Sequence, residues 1–210
     1  MLDREKINFD KMGGLIPAIV QDNHTLQVLM VGFMNEEALE QTLLSRKVTF
    51  YSRTKNRLWQ KGDTSGDFLH VIDMHIDCDD DSLLIMANPA GPTCHTGSVS
   101  CFTTQEMPPL SHIGKLDKTI IERINYPEDG SYTDRLIRKG LNKIAQKVGE
   151  EAVEVVIAAL NETDEEFLGE MTDLIYHTLV LLHAKHLNLA KLGNVIELRH
   201  KSKIQDTLVK

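Results

Sequence analysis

Apolar residues in the first half of the chain fall in short runs. Leu15-Ile16-Pro17-Ala18-Ile19-Val20 stops at the turn cluster Gln21-Asp22-Asn23, and Leu26-Gln27-Val28-Leu29-Met30-Val31 stops near Gly32. Both runs read as strands. Asn35 is placed to cap a helix over residues 36–46, with Glu36 and Glu37 in its first turn. Val48 to Ser52 and Arg57 to Lys61 flank the turn residues Thr54-Lys55-Asn56 and predict a β-hairpin. Residues 70–77 alternate, with Val71, Asp73, His75 and Asp77 on one side and Ile72, Met74, Ile76 and Cys78 on the other. A last strand covers residues 82–88 and is broken by Pro89-Ala90-Gly91-Pro92.

The period changes after Cys101-Phe102. Thr103 to Pro109 has linker composition. Ile113, Leu116, Ile120 and Ile124 then recur at helical spacing. A long helix is expected over residues 133–160, with Gly140 or Gly149 as candidate bends. A short connector at 161–164 leads to a second long helix over 164–186, and a shorter one covers 189–199. The fold class is therefore two domains. A strand-rich α+β domain spans residues 1–108, and an all-α bundle spans residues 109–210.

Charge and cysteine usage narrow the function. A net charge of −8 argues against a nucleic-acid surface, which needs clustered Lys and Arg. Three cysteines do not make a disulfide framework. The charged start Met1-Leu2-Asp3-Arg4-Glu5-Lys6 shows no secretory pattern, and no apolar run has membrane-spanning length. A cytoplasmic location is expected.

Those cysteines lie in the spacing C-x15-C-x6-C, at Cys78, Cys94 and Cys101, and the first is set inside Asp77-Cys78-Asp79-Asp80-Asp81. Neighbouring carboxylates disfavour a thiolate, so the cluster makes chemical sense if cations sit there. In an extended chain, Asp77, Asp79 and Asp81 would share one face, suited to Mg²⁺, and Cys78 would point the other way, toward Zn²⁺. Three thiolates leave a tetrahedral zinc one ligand short. That is compatible with a catalytic ion holding water, or with a structural ion completed by His95 or another histidine. An acidic turn beside unrelated cysteines is the third option. His95 has two possible roles, proton shuttle or structural neighbour. Arg53, Arg57 and Lys61 around the hairpin are either phosphate contacts or a solvated face, and the amides and hydroxyls of Gly62-Asp63-Thr64-Ser65-Gly66 either hold a phosphate or form a plain surface turn.

The helical half carries its own acids. Lys147, Glu150, Glu151 and Glu154 share one helix face, and Glu170, Asp173 and His177 share another. Ala152 to Leu160 is apolar nearly all round apart from Glu154, which predicts a buried helix whose carboxylates need a cation or a proton. If the two helices pack antiparallel, Glu151, Glu154, Glu170 and Asp173 converge as a Mg²⁺ site suited to phosphoanhydride hydrolysis; the alternative is a set of unpaired surface acids.

Two resemblances cover nearly the whole chain. Residues 1 to about 108 resemble phosphoribosyl-AMP cyclohydrolase through Phe50-Tyr51-Ser52-Arg53, Leu58-Trp59-Gln60-Lys61-Gly62-Asp63-Thr64-Ser65-Gly66, Asp77-Cys78-Asp79-Asp80-Asp81, Gly91-Pro92-Thr93-Cys94-His95-Thr96-Gly97 and Ser100-Cys101-Phe102. Residues from about 113 to 200 resemble phosphoribosyl-ATP pyrophosphohydrolase, of the all-α nucleotide pyrophosphohydrolase type. The stretches there are Ser131-Tyr132-Thr133, Gln146-Lys147-Val148-Gly149-Glu150-Glu151-Ala152-Val153-Glu154 and Asp173-Leu174-Ile175-Tyr176-His177. In this order they are similar to the fused, bifunctional family of histidine biosynthesis.

The resemblance implies two successive hydrolyses. The helical domain would release pyrophosphate from phosphoribosyl-ATP, and the N-terminal domain would open the adenine ring of phosphoribosyl-AMP at N1–C6. It implies Zn²⁺ on Cys78, Cys94 and Cys101, and Mg²⁺ on Asp77, Asp79 and Asp81. A second Mg²⁺ site would use Glu151, Glu154, Glu170 and Asp173. His95 would be catalytic, and Arg53, Lys61, Thr64, Ser65, Lys147, Glu150 and His177 would contact substrate. It further implies a homodimer, with zinc ligands drawn from both subunits. Asp63 departs from the family loop, where Glu stands; the charge is kept and the reach shortened. Residues 201–210 fall outside the resemblance. Two other readings remain open: a structural zinc module fused to a helical dimerisation bundle, and a house-cleaning nucleotide pyrophosphohydrolase with a decayed first domain.

Overall fold

The computed structural model describes residues 2–102 and 108–208, so most of the expected linker at 103–109 lies outside the described residues. The chain divides into two compact units, Met1–Lys115 and Leu116–Lys210. The division falls inside the helix over Ser111–Asn125.

Unit one contains β1 (Ile16–Asp22), β2 (Val28–Met34), α1 (Glu36–Ser45), β3 (Thr49–Ser52), β4 (Arg57–Gln60), β5 (Leu69–Ile76) and β6 (Leu83–Pro89). Four strands form a mixed sheet in the order β2-β1-β6-β5. β1 is antiparallel to β2 and parallel to β6, and β5 is antiparallel to β6. The expected hairpin is β3–β4. Alternation in β1 and β6 buries Ile16, Ala18, Val20, Leu83, Ile85 and Ala87 completely, as a half-covered sheet requires. The Asn35 side chain accepts from Ala38 N–H at 2.9 Å and starts α1 where capping chemistry placed it.

Strict alternation fails in β5. A β-bulge at Ile72 shifts the register between Val71 and Asp73. Leu69, Val71 and Met74 all reach the core, while Ile72 is left exposed. The extra residue reverses the phase of everything after it. β5 then ends at Ile76, and residues 77–82 are a turn with Asp80 at φ 63°. The extended geometry expected for Asp77–Asp81 is therefore not found.

The helices are α2 (Ser111–Asn125), α3 (Tyr132–Arg138), α4 (Leu141–Asn161), α5 (Asp164–Ala184) and α6 (Leu189–Leu208). α2 begins in unit one, where Ser111 Oγ donates to the Thr25 carbonyl, and continues into unit two. The single long helix expected over 133–160 is two helices, α3 and α4. Gly140, at φ 82°, is the break; Gly149 lies inside α4. A residue at positive φ with extended ψ cannot continue a right-handed helix, and glycine adopts that conformation without steric cost. α5 opens with a capping box in which Glu166 N–H donates to Thr163 Oγ1 and Glu166 Oε2 accepts from Thr163 N–H. α6 runs beyond the expected Arg199 to Leu208.

Ile120, Leu136, Ile144, Leu179 and Val180 form the core of unit two. α4 is less buried than its apolar run predicts: Val153 (58%), Val156 (58%), Ile157 (47%) and Leu160 (77%) are exposed on the single chain. Composition identified an apolar helix but not how many of its sides one chain covers. No described helix is long and apolar enough to cross a membrane.

Candidate active sites

In unit one, a cavity of about 430 Å³ gathers residues that are distant in the chain. Lys61, Thr64 and Ser65 line it from the loop after β4, Cys94 and His95 from the loop after β6, and Cys101 from farther on. A tight turn sets Cys94, whose N–H donates to Ser98 O at 2.9 Å and whose carbonyl accepts from Gly97 N–H at 3.0 Å. Cys101 is pinned to β2 by its N–H on Leu29 O at 2.7 Å. Gly62 has φ 91°, and a Cβ there would stand 2.5 Å from the Asp67 backbone, so the loop closes only with glycine.

Electrostatics distinguish the two thiols. The Thr96 hydroxyl donates to Cys94 Sγ at 3.1 Å and, with the Thr96 N–H, holds the Cys94 thiol below its usual range against the effect of burial. Burial and then the neighbouring Cys94 charge push Cys101 up, with Lys61 pulling the other way. His95 Nδ1 lies 3.8 Å from Cys94 Sγ. Lys61 is 8% exposed and donates to the Asp67 carbonyl at 3.1 Å. Thr93 Oγ1, in the same wall, is buried without a hydrogen-bond partner. Arg53 is not a lining residue; its guanidinium lies 3.8 Å over the Phe33 ring.

Cys78 does not join the other two thiols. Among the described residues the three cysteines form no group within one chain. Cys78 is exposed in the β5–β6 turn, with Sγ 4.0 Å from Asp79 Oδ1.

That turn nevertheless brings Asp77, Asp79 and Asp81 together, each with a carboxylate oxygen within 4.8 Å of the others. A turn does what a strand was expected to do. Asp77 Oδ1 accepts from Asp81 N–H at 3.0 Å and Ser82 N–H at 3.1 Å. Burial works to raise Asp77, but these amides hold it below the usual carboxylate range. Lys11, which no sequence signal singled out, places Nζ 2.8 Å from Asp79 Oδ2 and 2.7 Å from Asp81 Oδ2. Its hydrogen bonds to Asp79 and Asp81 raise its pKa.

In unit two, Glu151 faces His177 and Glu154 faces Glu170, so α4 and α5 run antiparallel as expected. Glu151, Glu154 and Glu170 have oxygens within 4.8 Å of one another. Asp173 is exposed and outside this group, so three of the four expected carboxylates meet. Lys147 Nζ contacts Glu151 Oε1 at 2.6 Å and Glu150 Oε2 at 3.0 Å. Burial works to raise Glu151, but Lys147 and then His177 hold it below the usual range. Glu154 is raised, because it shares a hydrogen bond with the Glu151 carboxylate and feels its charge.

His177 is buried, with Nδ1 2.9 Å from the Asp173 carbonyl and Nε2 3.1 Å from Tyr132 Oη. A carbonyl only accepts, so His177 Nδ1 carries a proton and donates it to Asp173 O, while Nε2 and Tyr132 Oη share the second hydrogen bond. Tyr132 and His177 both lie in the resembling stretches, but nothing in the sequence shows that they pair.

Both units match known families. The model for phosphoribosyl-AMP cyclohydrolase covers residues 30–103, and that for phosphoribosyl-ATP pyrophosphohydrolase covers residues 113–200. The chain is 52% identical over 197 residues to the histidine biosynthesis bifunctional protein HisIE of Bacteroides thetaiotaomicron, covering 94% of this chain and 97% of that one. The protein of the same name from Campylobacter jejuni is 49% identical over 199 residues, covering 94% and 96%. That of Pasteurella multocida is 49% identical over 200 residues, covering 93% and 98%. Two domain families in one order, matched along nearly the full length, leave no place for a non-enzymatic zinc module or a decayed first domain. The chain belongs to the family of bifunctional histidine-biosynthesis enzymes, with a phosphoribosyl-AMP cyclohydrolase domain followed by a phosphoribosyl-ATP pyrophosphohydrolase domain.

Proposed function

We propose that the helical unit hydrolyses phosphoribosyl-ATP to phosphoribosyl-AMP and pyrophosphate, and that the N-terminal unit then opens the adenine ring of phosphoribosyl-AMP at N1–C6. The observation that carries the second step is the cavity, which faces two thiols of unequal acidity, a histidine, a buried lysine and an unpaired threonine hydroxyl toward one space.

The donor sets fit two different ions. Thiolates Cys94 and Cys101 suit Zn²⁺. The carboxylate groups Asp77, Asp79, Asp81 and Glu151, Glu154, Glu170 suit Mg²⁺. When bound, such ions polarise the reacting group and make water more acidic.

The chain's own residues do the rest. Lys61 and the Thr64 and Ser65 hydroxyls bind a substrate phosphate at the cavity wall. Thr93 Oγ1 offers a hydrogen bond to the base, and His95 moves a proton beside it. In unit two, Lys147 keeps the buried Glu151 ionised, and Glu150 shares that lysine. His177, oriented by its Nδ1–H on the Asp173 carbonyl, faces the carboxylates. Asp173, one helical turn from Glu170, is the fourth acid of the set.

The working form in this reading is a cytoplasmic homodimer. Cys78 of a second copy completes the thiolate set, and the exposed apolar face of α4 supports association. A coupled assay on phosphoribosyl-ATP, with zinc and magnesium varied separately, tests the scheme. Zinc removal should stop the path at phosphoribosyl-AMP, and magnesium removal should prevent pyrophosphate release. Ring opening that is unaffected by zinc removal would overturn the thiolate assignment.

A further inference from the structure

Lys11 carries a contact that neither reaction uses. It lies in the 3-10 turn Asp10–Met12, outside the segment matched by the cyclohydrolase family model. Its Nζ reaches Asp79 Oδ2 (2.8 Å), Asp81 Oδ2 (2.7 Å) and the Asp79 carbonyl (3.1 Å). An ammonium has three protons, and three acceptors of a single turn receive them. The main chain puts it there: Asn8 N–H donates to Asp80 O at 2.7 Å, and Lys11 N–H donates to Asn8 Oδ1 at 3.0 Å. The lysine is thus delivered to the turn by backbone stitching across 68 positions of sequence.

We propose that Lys11 is a displaceable internal counter-ion for Asp77, Asp79 and Asp81: its ammonium holds the turn in metal-binding shape and leaves when a divalent cation enters. The inference rests on the reading that this trio binds such an ion. Three carboxylates with oxygens within 4.8 Å repel one another and would splay apart without a cation. The ammonium supplies one positive charge at the place a divalent ion would supply two. Lysine suits a temporary occupant, because its compact head sits on a flexible stem that can swing away without moving the backbone. A site filled by its own lysine about nine-tenths of the time binds a competing ion about tenfold more weakly than the bare site. Lys11 therefore sets the affinity, keeping the ion exchangeable while preventing collapse of the empty turn.

The test is Mn²⁺ binding to the full-length chain, followed by loss of the free-ion electron paramagnetic resonance signal. Asp79→Asn identifies the binding class that belongs to this turn. Lys11→Met should tighten that class by about tenfold or more, while Lys11→Arg, which keeps a cation, should stay near the wild type. A second reading uses the unaltered protein: acylation of Lys11, measured by mass spectrometry, should accelerate when Mg²⁺ is added. An Asp79-dependent class that is unchanged or weaker in a folded Lys11→Met chain, or acylation indifferent to Mg²⁺, overturns the counter-ion role and leaves the metal site standing. No Asp79-dependent class in any variant overturns both.

Discussion

Replacing Lys147 by methionine tests whether the acids between α4 and α5 are a buried charge cluster or a solvated helix face. Glu151 is 4% exposed, and Lys147 contacts it at 2.6 Å. Met keeps the stem and removes the charge. Removing one partner of a buried pair costs about 3–5 kcal/mol, and because the Lys147 side chain keeps 22% exposure the expected loss is about 2–3 kcal/mol at pH 7. Urea unfolding reads this by unit. The only tryptophan, Trp59, lies in unit one, so its fluorescence follows that unit, while far-ultraviolet circular dichroism follows the helices. Only the dichroism transition should move.

The pH dependence has a definite sign. Glu151 is held below its ordinary 4.5, so its contribution is complete above that value and lost as pH falls through the lower folded value. The gap between variant and wild type should close in acid. Saturating Mg²⁺ should also narrow it, because the ion neutralises the same carboxylates, and about a hundredfold excess over Kd contributes about 2.7 kcal/mol. A loss below about 0.5 kcal/mol at pH 7, the range of exposed pairs, would refute the buried-cluster reasoning.

Two further outcomes follow from the titrating groups. Thr96→Val should raise the Cys94 thiol's pKa by removing the 3.1 Å hydroxyl bond; the pH midpoint of iodoacetamide alkylation in metal-free protein should rise, and an unmoved midpoint would count against this origin of the acidity. Glu154 titrates above its ordinary 4.5, so an ion entering the helical site must expel its proton at mildly acidic pH. Mn²⁺ affinity there should fall as pH drops toward that raised value, and calorimetry in buffers of different ionisation enthalpy should detect released protons. Binding that is flat with pH and releases no protons would contradict the shared-proton geometry.

Much of the fold was readable because it rests on local chemistry. The Asn35 cap, the β3–β4 turn and the Thr163 connector act within a few residues and appear where their side chains require. What was not readable depends on non-local pairing. The bulge at Ile72 is a property of how β5 meets β6, and nothing in the alternation of residues 70–77 reveals it. The Asp77–Asp81 turn shows a second limit: the right carboxylates converge, but through amide bonds to Asp77 rather than strand geometry. Lys11 carried no motif, and its role exists only because Asn8 pairs with Asp80. α4 is more exposed than its composition predicts, because an apolar run does not say whether its cover comes from the same chain. For the same reason, spacing alone united Cys78 with Cys94 and Cys101, which one chain keeps apart.

The central claim is that two separate sites act in series on one substrate, and paired variants test it in a single assay. On phosphoribosyl-ATP with both metals present, Cys101→Ala should release pyrophosphate and accumulate phosphoribosyl-AMP. Glu154→Gln should release none, yet open supplied phosphoribosyl-AMP at the wild-type rate. Full-rate ring opening by Cys101→Ala, or loss of both activities in either variant while both units remain folded, would contradict the account.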